Sequence, residues 1–141
     1  MRPQSIVHFE RVVLFSLLLG VANTFMIWGT LTSSVATAGM GVGFIVTVQA
    51  ITLAIYLLLI WFIARKGSPV AKWIYVVLAA IGLLFGLIGI GQVAGLYGTS
   101  ALVITIVQYV LSAVSIWLLF RPDANAWFSN GRGPVDPSIF N

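Results

Sequence analysis

A chain of 141 residues is one domain's worth of polypeptide. It is 60% hydrophobic and only 7% charged, where a soluble domain carries roughly a quarter charged residues, and its mean hydropathy is +1.10. Seven Lys/Arg against three Asp/Glu, one His and no Cys exclude disulfides and thiolate chemistry and leave too few groups for a metal or cofactor site. The composition points to an all-α integral membrane protein.

In chain order, the N-terminal segment carries Arg2, His8, Glu10 and Arg11. Its apolar residues Ile6, Val7 and Phe9 are expected in the interface, ahead of the first helix. The first uncharged apolar stretch covers about 12–31, enough for a hydrocarbon core that takes about 20 residues to cross. It is too long for a signal-peptide core of about 7–15 residues. A glycine-containing outer loop, about 32–41, should be mobile. The second span, about 42–64, ends at Arg65-Lys66-Gly67-Ser68-Pro69. There Gly67 suits a left-handed C-cap, Ser68 an N-cap and Pro69 a first helical turn. The third span covers about 73–96 and the fourth about 101–120. Lipid offers no partner for open strand edges, so all four are expected to be helices. They form residues 1–120 as a single transmembrane domain, arranged as two tandem antiparallel hairpins.

All ten Lys, Arg, Asp and Glu residues fall in the N-terminus, the loop after the second span, or the C-terminal segment. An even number of spans puts these on one side, and their basic excess makes that side cytoplasmic. Trp61, Trp73, Trp117 and Trp127 then fall at the inner interface, and Trp28 and Tyr97 near the outer one, as an aromatic belt requires. Residues 121–141 read as a cytoplasmic interfacial segment and tail. In it Asp123 caps a short turn that lays Trp127 and Phe128 into the interface, and Ile139 and Phe140 are candidates for docking a partner.

No ionisable side chain lies inside a span, which argues against a proton-coupled pump. Each span instead carries one amide: Asn23, Gln49, Gln92 and Gln108. Counted from the inner helix ends at 1.5 Å per residue, Asn23 lies at roughly 16 Å, Gln108 at roughly 18 Å, Gln49 at roughly 22 Å and Gln92 at roughly 28 Å. The four read as a candidate polar lining, or simply as interhelical hydrogen bonds worth about 0.6 kcal/mol a pair. Tyr56 and Tyr109 sit deep, and their hydroxyls are expected to find an amide or a backbone carbonyl.

The third span carries Ala79, Gly82, Gly86 and Gly89 on one face, a small-residue surface for packing within the chain or between chains. Arg65, Lys66, Lys72 and Arg121 are candidates for anionic headgroups. The second and fourth spans also resemble each other, Ile45-Val-Thr-Val-Gln49 against Ile104-Thr-Ile-Val-Gln108, a weak sign of duplication.

The stretch Ile60-Trp-Phe-Ile-Ala-Arg-Lys-Gly-Ser-Pro-Val-Ala-Lys-Trp-Ile-Tyr-Val-Val-Leu78 and the ending Leu118-Leu-Phe-Arg-Pro-Asp-Ala-Asn-Ala-Trp-Phe128 carry a resemblance. Together they resemble small bacterial four-span inner-membrane proteins. The likeness covers about the last two-thirds of the chain. It implies the fold and a bacterial inner membrane, and no activity. The function expected from these features is non-enzymatic: association as an accessory subunit of a membrane complex or as a homo-oligomer. The alternative is a binder or carrier of a small apolar or zwitterionic molecule in an amide-lined interior. Partners would be membrane lipids and another membrane protein or a second copy, with no nucleic acid.

Overall fold

A computed structural model describes residues 2–129, and every regular element among them is helical. The elements are α1 (Gln4–Met26), α2 (Trp28–Thr37), α3 (Val42–Lys66), α4 (Pro69–Tyr97), α5 (Thr99–Leu119) and α6 (Pro122–Ser129). Four of them, α1, α3, α4 and α5, are long and apolar enough to cross a membrane. In the bundle, α1 packs on α5 and α3, and α4 likewise packs on α5 and α3.

Two joints follow local chemistry, the first of them as the sequence predicts. Gly67 takes the left-handed conformation (φ 58°, ψ 32°) and ends α3. Ser68 then accepts the amide hydrogen of Ala71 at 3.2 Å, with Pro69 opening α4. The joint between α4 and α5 is tighter still, because the single residue Gly98 caps both helices at φ 87° and ψ 168°. That backbone region is open essentially to glycine alone.

Three expectations are corrected. Helix α1 begins at Gln4 rather than near residue 12, and Ile6 and Phe9 are fully buried helical residues instead of interfacial ones ahead of it. They escape interfacial exposure because α6 and the ends of α3 and α5 close over them. The first span is also interrupted at Ile27 (φ −97°, ψ 11°). One turn earlier, the Thr24 hydroxyl donates to the Gly20 carbonyl at 3.0 Å, a back-bond that bends helices. Finally, most of the supposed outer loop is the helix α2. Ser33 and Ser34 donate to the Thr30 carbonyl and Thr32 to that of Gly29, so these polar residues are used inside the helix. Gly39 (φ 73°) supplies its stop.

The buried core lies at the end where the charges gather. It joins Ile6 and Phe9 of α1, Ile63 and Ala64 of α3, Ala71 and Tyr75 of α4, Leu118 and Leu119 of α5, and Ala124 and Phe128 of α6. Helix α6 is a plug. Trp127 donates its indole N–H to the Ile63 carbonyl at 3.1 Å and lies against Gly67, and Asp123 accepts the Ser5 amide at 3.2 Å. Trp127 and Phe128 therefore pack on the bundle instead of reaching into an interface, because the C-terminal ends of α3 and α5 leave an apolar hollow for them.

Candidate functional site

The site begins where the core stops. Tyr75 of α4 is 2% exposed, and its ring meets Phe9 edge-on at 5.0 Å and Tyr56 at 5.9 Å. Its hydroxyl lies 2.6 Å from Ser115 Oγ. Ser115 gives its only proton to the Ser112 carbonyl at 2.7 Å, so the phenol is the donor of that pair. Phe9, Tyr75 and Ser115 thus form a closed floor.

Above this floor is a cavity of about 220 Å³ bounded by α1, α3, α4 and α5. Its polar wall groups are Ser16, Gln49, Thr52, Tyr56, Gln108 and Ser112, with Tyr75 and Ser115 beneath. No lining side chain is charged. Gln108 donates from Nε2 to the Ser16 carbonyl at 3.3 Å. Gly20 makes room for this amide, since a Cβ there would stand 3.0 Å from Nε2. Gln49 Oε1 accepts from Thr24 at 3.4 Å, a weak bond because the same hydroxyl lies closer to the Gly20 carbonyl.

The remaining hydrogen-bonding capacity has no protein partner among the described residues. It comprises the Gln49 amide N–H groups, the Gln108 carbonyl, and the hydroxyls of Ser16, Thr52, Tyr56 and Ser112. None of these groups is sealed within the protein, and each would cost several kcal/mol if hydrocarbon and not a polar partner filled the space beside it. The arrangement therefore suits a guest that both donates and accepts hydrogen bonds and carries no charge. A second space of about 220 Å³ shares Ser16, Tyr56, Gln108 and Ser112 and runs toward Ala79, Gly82 and Tyr109.

The structure distributes the sequence-predicted residues unevenly. Gln49 and Gln108 line one cavity. Asn23 lies outside it, with its Oδ1 buried and, among the described residues, without a hydrogen-bond partner. Gln92 is exposed on α4. The depth reckoning placed Asn23 level with Gln108, but α1 starts eight residues early, which is about 12 Å of helix. Gln108 consequently meets Ser16 and Gly20.

On the small-residue face, Ala79 is buried in the core, and a Cβ on Gly86 would collide with the Tyr109 phenol of α5. Gly82 and Gly89 have nothing within 4 Å of a Cβ. Among the described residues, neither Tyr56 nor Tyr109 makes the hydrogen bond expected of it; the first packs on Tyr75 and the second on Gly86.

Of the basic residues, Lys72 is 6% exposed, donates to Asn125 Oδ1 at 2.9 Å and faces the rings of Phe120 and Phe128. Arg65 pairs with Glu10 at 3.4 Å, Arg121 lies 3.9 Å from Asp123, and Lys66 stacks over Trp61. His8 hydrogen-bonds the Gln4 carbonyl at 2.7 Å. Ile139 and Phe140 lie outside the described residues.

The groups that sequence reasoning passed over are Ser16, Thr52, Tyr75, Ser112 and Ser115. Their signal is spacing: Gln108, Ser112 and Ser115 recur at i, i+4 and i+7 on α5, and Gln49, Thr52 and Tyr56 at i, i+3 and i+7 on α3. Each set is one helix face. No family model, curated protein or solved structure matches the chain.

Proposed function

We propose that this chain is a multi-pass membrane protein that binds a small, uncharged, hydrogen-bonding molecule inside its helix bundle. The observation that carries the reading is the cavity touching both Gln49 and Gln108, whose free donors and acceptors lie among unpaired hydroxyls. A zwitterion suits this wall less well, because no charged side chain reaches it. On this reading the protein acts as a binder or carrier and not as an enzyme. Its location is the bacterial inner membrane, with sequentially adjacent spans running antiparallel and both termini on the basic, cytoplasmic side. The gathering of Glu10, Arg65, Lys72, Arg121 and Asp123 at one end supports that topology. Arg2, Arg11, Arg65, Lys66 and Arg121 are exposed basic residues available to headgroups there, whereas Lys72 is buried.

Native mass spectrometry after gentle extraction tests the binding reading. A small molecule retained by the wild type and lost from the Gln49→Leu/Gln108→Leu double variant is the expected result. A stoichiometric complex with another protein, holding no small molecule, would overturn it in favour of an accessory subunit. That second reading draws on Gly82 and Gly89, which leave open surface on α4 for another helix.

A further inference from the structure

The cavity is walled unequally. Its floor is closed by Phe9, Tyr75 and the core beneath. Its side between α1 and α3 is bordered by surface grooves. These two helices are tied by side-chain polar contacts at two levels among the described residues, Arg65 with Glu10 at the charged end and Thr24 with Gln49 farther along. Between those ties, and beyond the second, the surface is grooved. One groove of about 320 Å³ is lined by Leu14, Leu17, Leu18, Val21, Leu53 and Leu57, and almost all of its surface is apolar. Another, of about 310 Å³, extends past Phe25 and Trp28 and is wholly apolar.

These spaces are neighbours with common wall residues. Leu17 and Leu53 line both the polar cavity and the first groove. Gln49 and Leu53 line both the cavity and the second. Two leucines and one amide thus stand between a chamber with polar wall groups and an apolar surface trough, in which Leu18 is 69% and Leu57 49% exposed. The chamber itself is smaller than the roughly 300–1,000 Å³ of drug-sized pockets, so it fits a compact head and not a whole ligand.

We propose that the guest is a single-chain amphiphile with an uncharged hydroxyl-bearing head, entering sideways from the bilayer between α1 and α3. Its head pairs with Gln49, Gln108 and the neighbouring hydroxyls, and its chain lies in the leucine groove. A carboxylate or phosphate head is rejected because the chamber holds no cation to pair with it. The inference rests on the cavity-binding reading above and adds to it the ligand class and the route.

The test uses the full chain in nanodiscs, with bound adducts counted by native mass spectrometry at matched concentrations of 1-monooleoylglycerol, glycerol and oleate. Wild type should retain monooleoylglycerol at least tenfold over either other probe. Gln108→Leu should lower that retention about tenfold by removing a head contact, and Leu53→Trp should do the same by blocking the passage. Leu57→Trp, at the exposed mouth, supplies the same block should Leu53→Trp lose its helical circular dichroism. Equal retention of glycerol, or both tryptophan variants retaining monooleoylglycerol like wild type, would overturn the lateral route while leaving the cavity reading intact. Failure of wild type to retain any of the three probes would overturn the ligand class. If the untreated protein also released no endogenous small molecule, the cavity reading would fall with it.

Discussion

The two ends of this bundle solve the same packing problem differently. At the charged end, five helices converge on Ile6, Phe9, Ile63 and Leu119, all fully buried, and α6 closes the hollow they leave. Toward the other end the four long helices have no such plug among the described residues. Phe25, Phe85 and Ile88 are 72%, 68% and 73% exposed, and the gap between α1 and α3 stays open. The difference is instructive because both regions are built from the same apolar residue types. Lipid solvates leucine as well as another leucine does, so apolar composition alone drives no helix association within a bilayer. What closes the charged end is directional: the Trp127 indole on the Ile63 carbonyl, the Lys72 ammonium on Asn125, the Ser5 amide on Asp123. The cavity in the middle is instead walled by polar groups without protein partners among the described residues.

By that contrast, truncations should hurt in proportion to closure. Phe9→Ala should cost about 3 kcal/mol, the low end for a buried aromatic, in reversible denaturation from mixed micelles. Leu18→Ala, on the open groove, should cost less than about 0.5 kcal/mol in the same assay, as exposed substitutions do. Equal losses would erase the distinction between the two ends.

Gly86→Leu should cost about 1–3 kcal/mol by overpacking against Tyr109. Its particle mass in detergent should not change, since that contact lies within the chain. A change in stoichiometry without a loss of stability would move the face to an interface between chains. Removing the plug's indole donor by Trp127→Phe should cost about 1 kcal/mol, the net worth of one hydrogen bond; thermal unfolding followed by circular dichroism reads it. Another small effect sharpens the comparison most. Gln108→Leu should change stability by only about 0.6 kcal/mol, the mean for an interhelical hydrogen bond in a bilayer, although it faces the centre of the bundle. A loss of several kcal/mol would mean that the amide holds the helices together, as Tyr75 and Ser115 do in the floor.

Much of the fold could be read from residues in a line. Four long uncharged apolar stretches gave four helices because, without water, the backbone must satisfy itself within each span. Gly67, Ser68 and Pro69 wrote the α3–α4 joint because capping is a local matter of a few dihedrals and one hydroxyl. The start of α1 was hidden because Ile6 and Phe9 are apolar in any setting, and only the cover supplied by α6 makes them core. Helix α2 was hidden because serine and threonine favour loops in water, while here their hydroxyls bond back to the helix.

The site divides the same way. The amides were visible as rare polar groups in apolar stretches, and the stripes Gln108, Ser112, Ser115 and Gln49, Thr52, Tyr56 follow from helical periodicity once it is sought. Which stripes face one another is a matter of helix rotation and axial offset. Those depend on contacts as remote in sequence as Gln108 with Ser16, and Tyr75 with Ser115. Composition and spacing therefore determined a chain of four apolar helices long enough to cross a membrane, with one charged end, since hydrophobicity, charge and capping act through neighbouring residues. Only the tertiary structure decided that two of the four amides share a chamber, that the glycine at 86 receives a tyrosine, and that apolar grooves flank the chamber between α1 and α3, because each depends on how far one helix is turned against another.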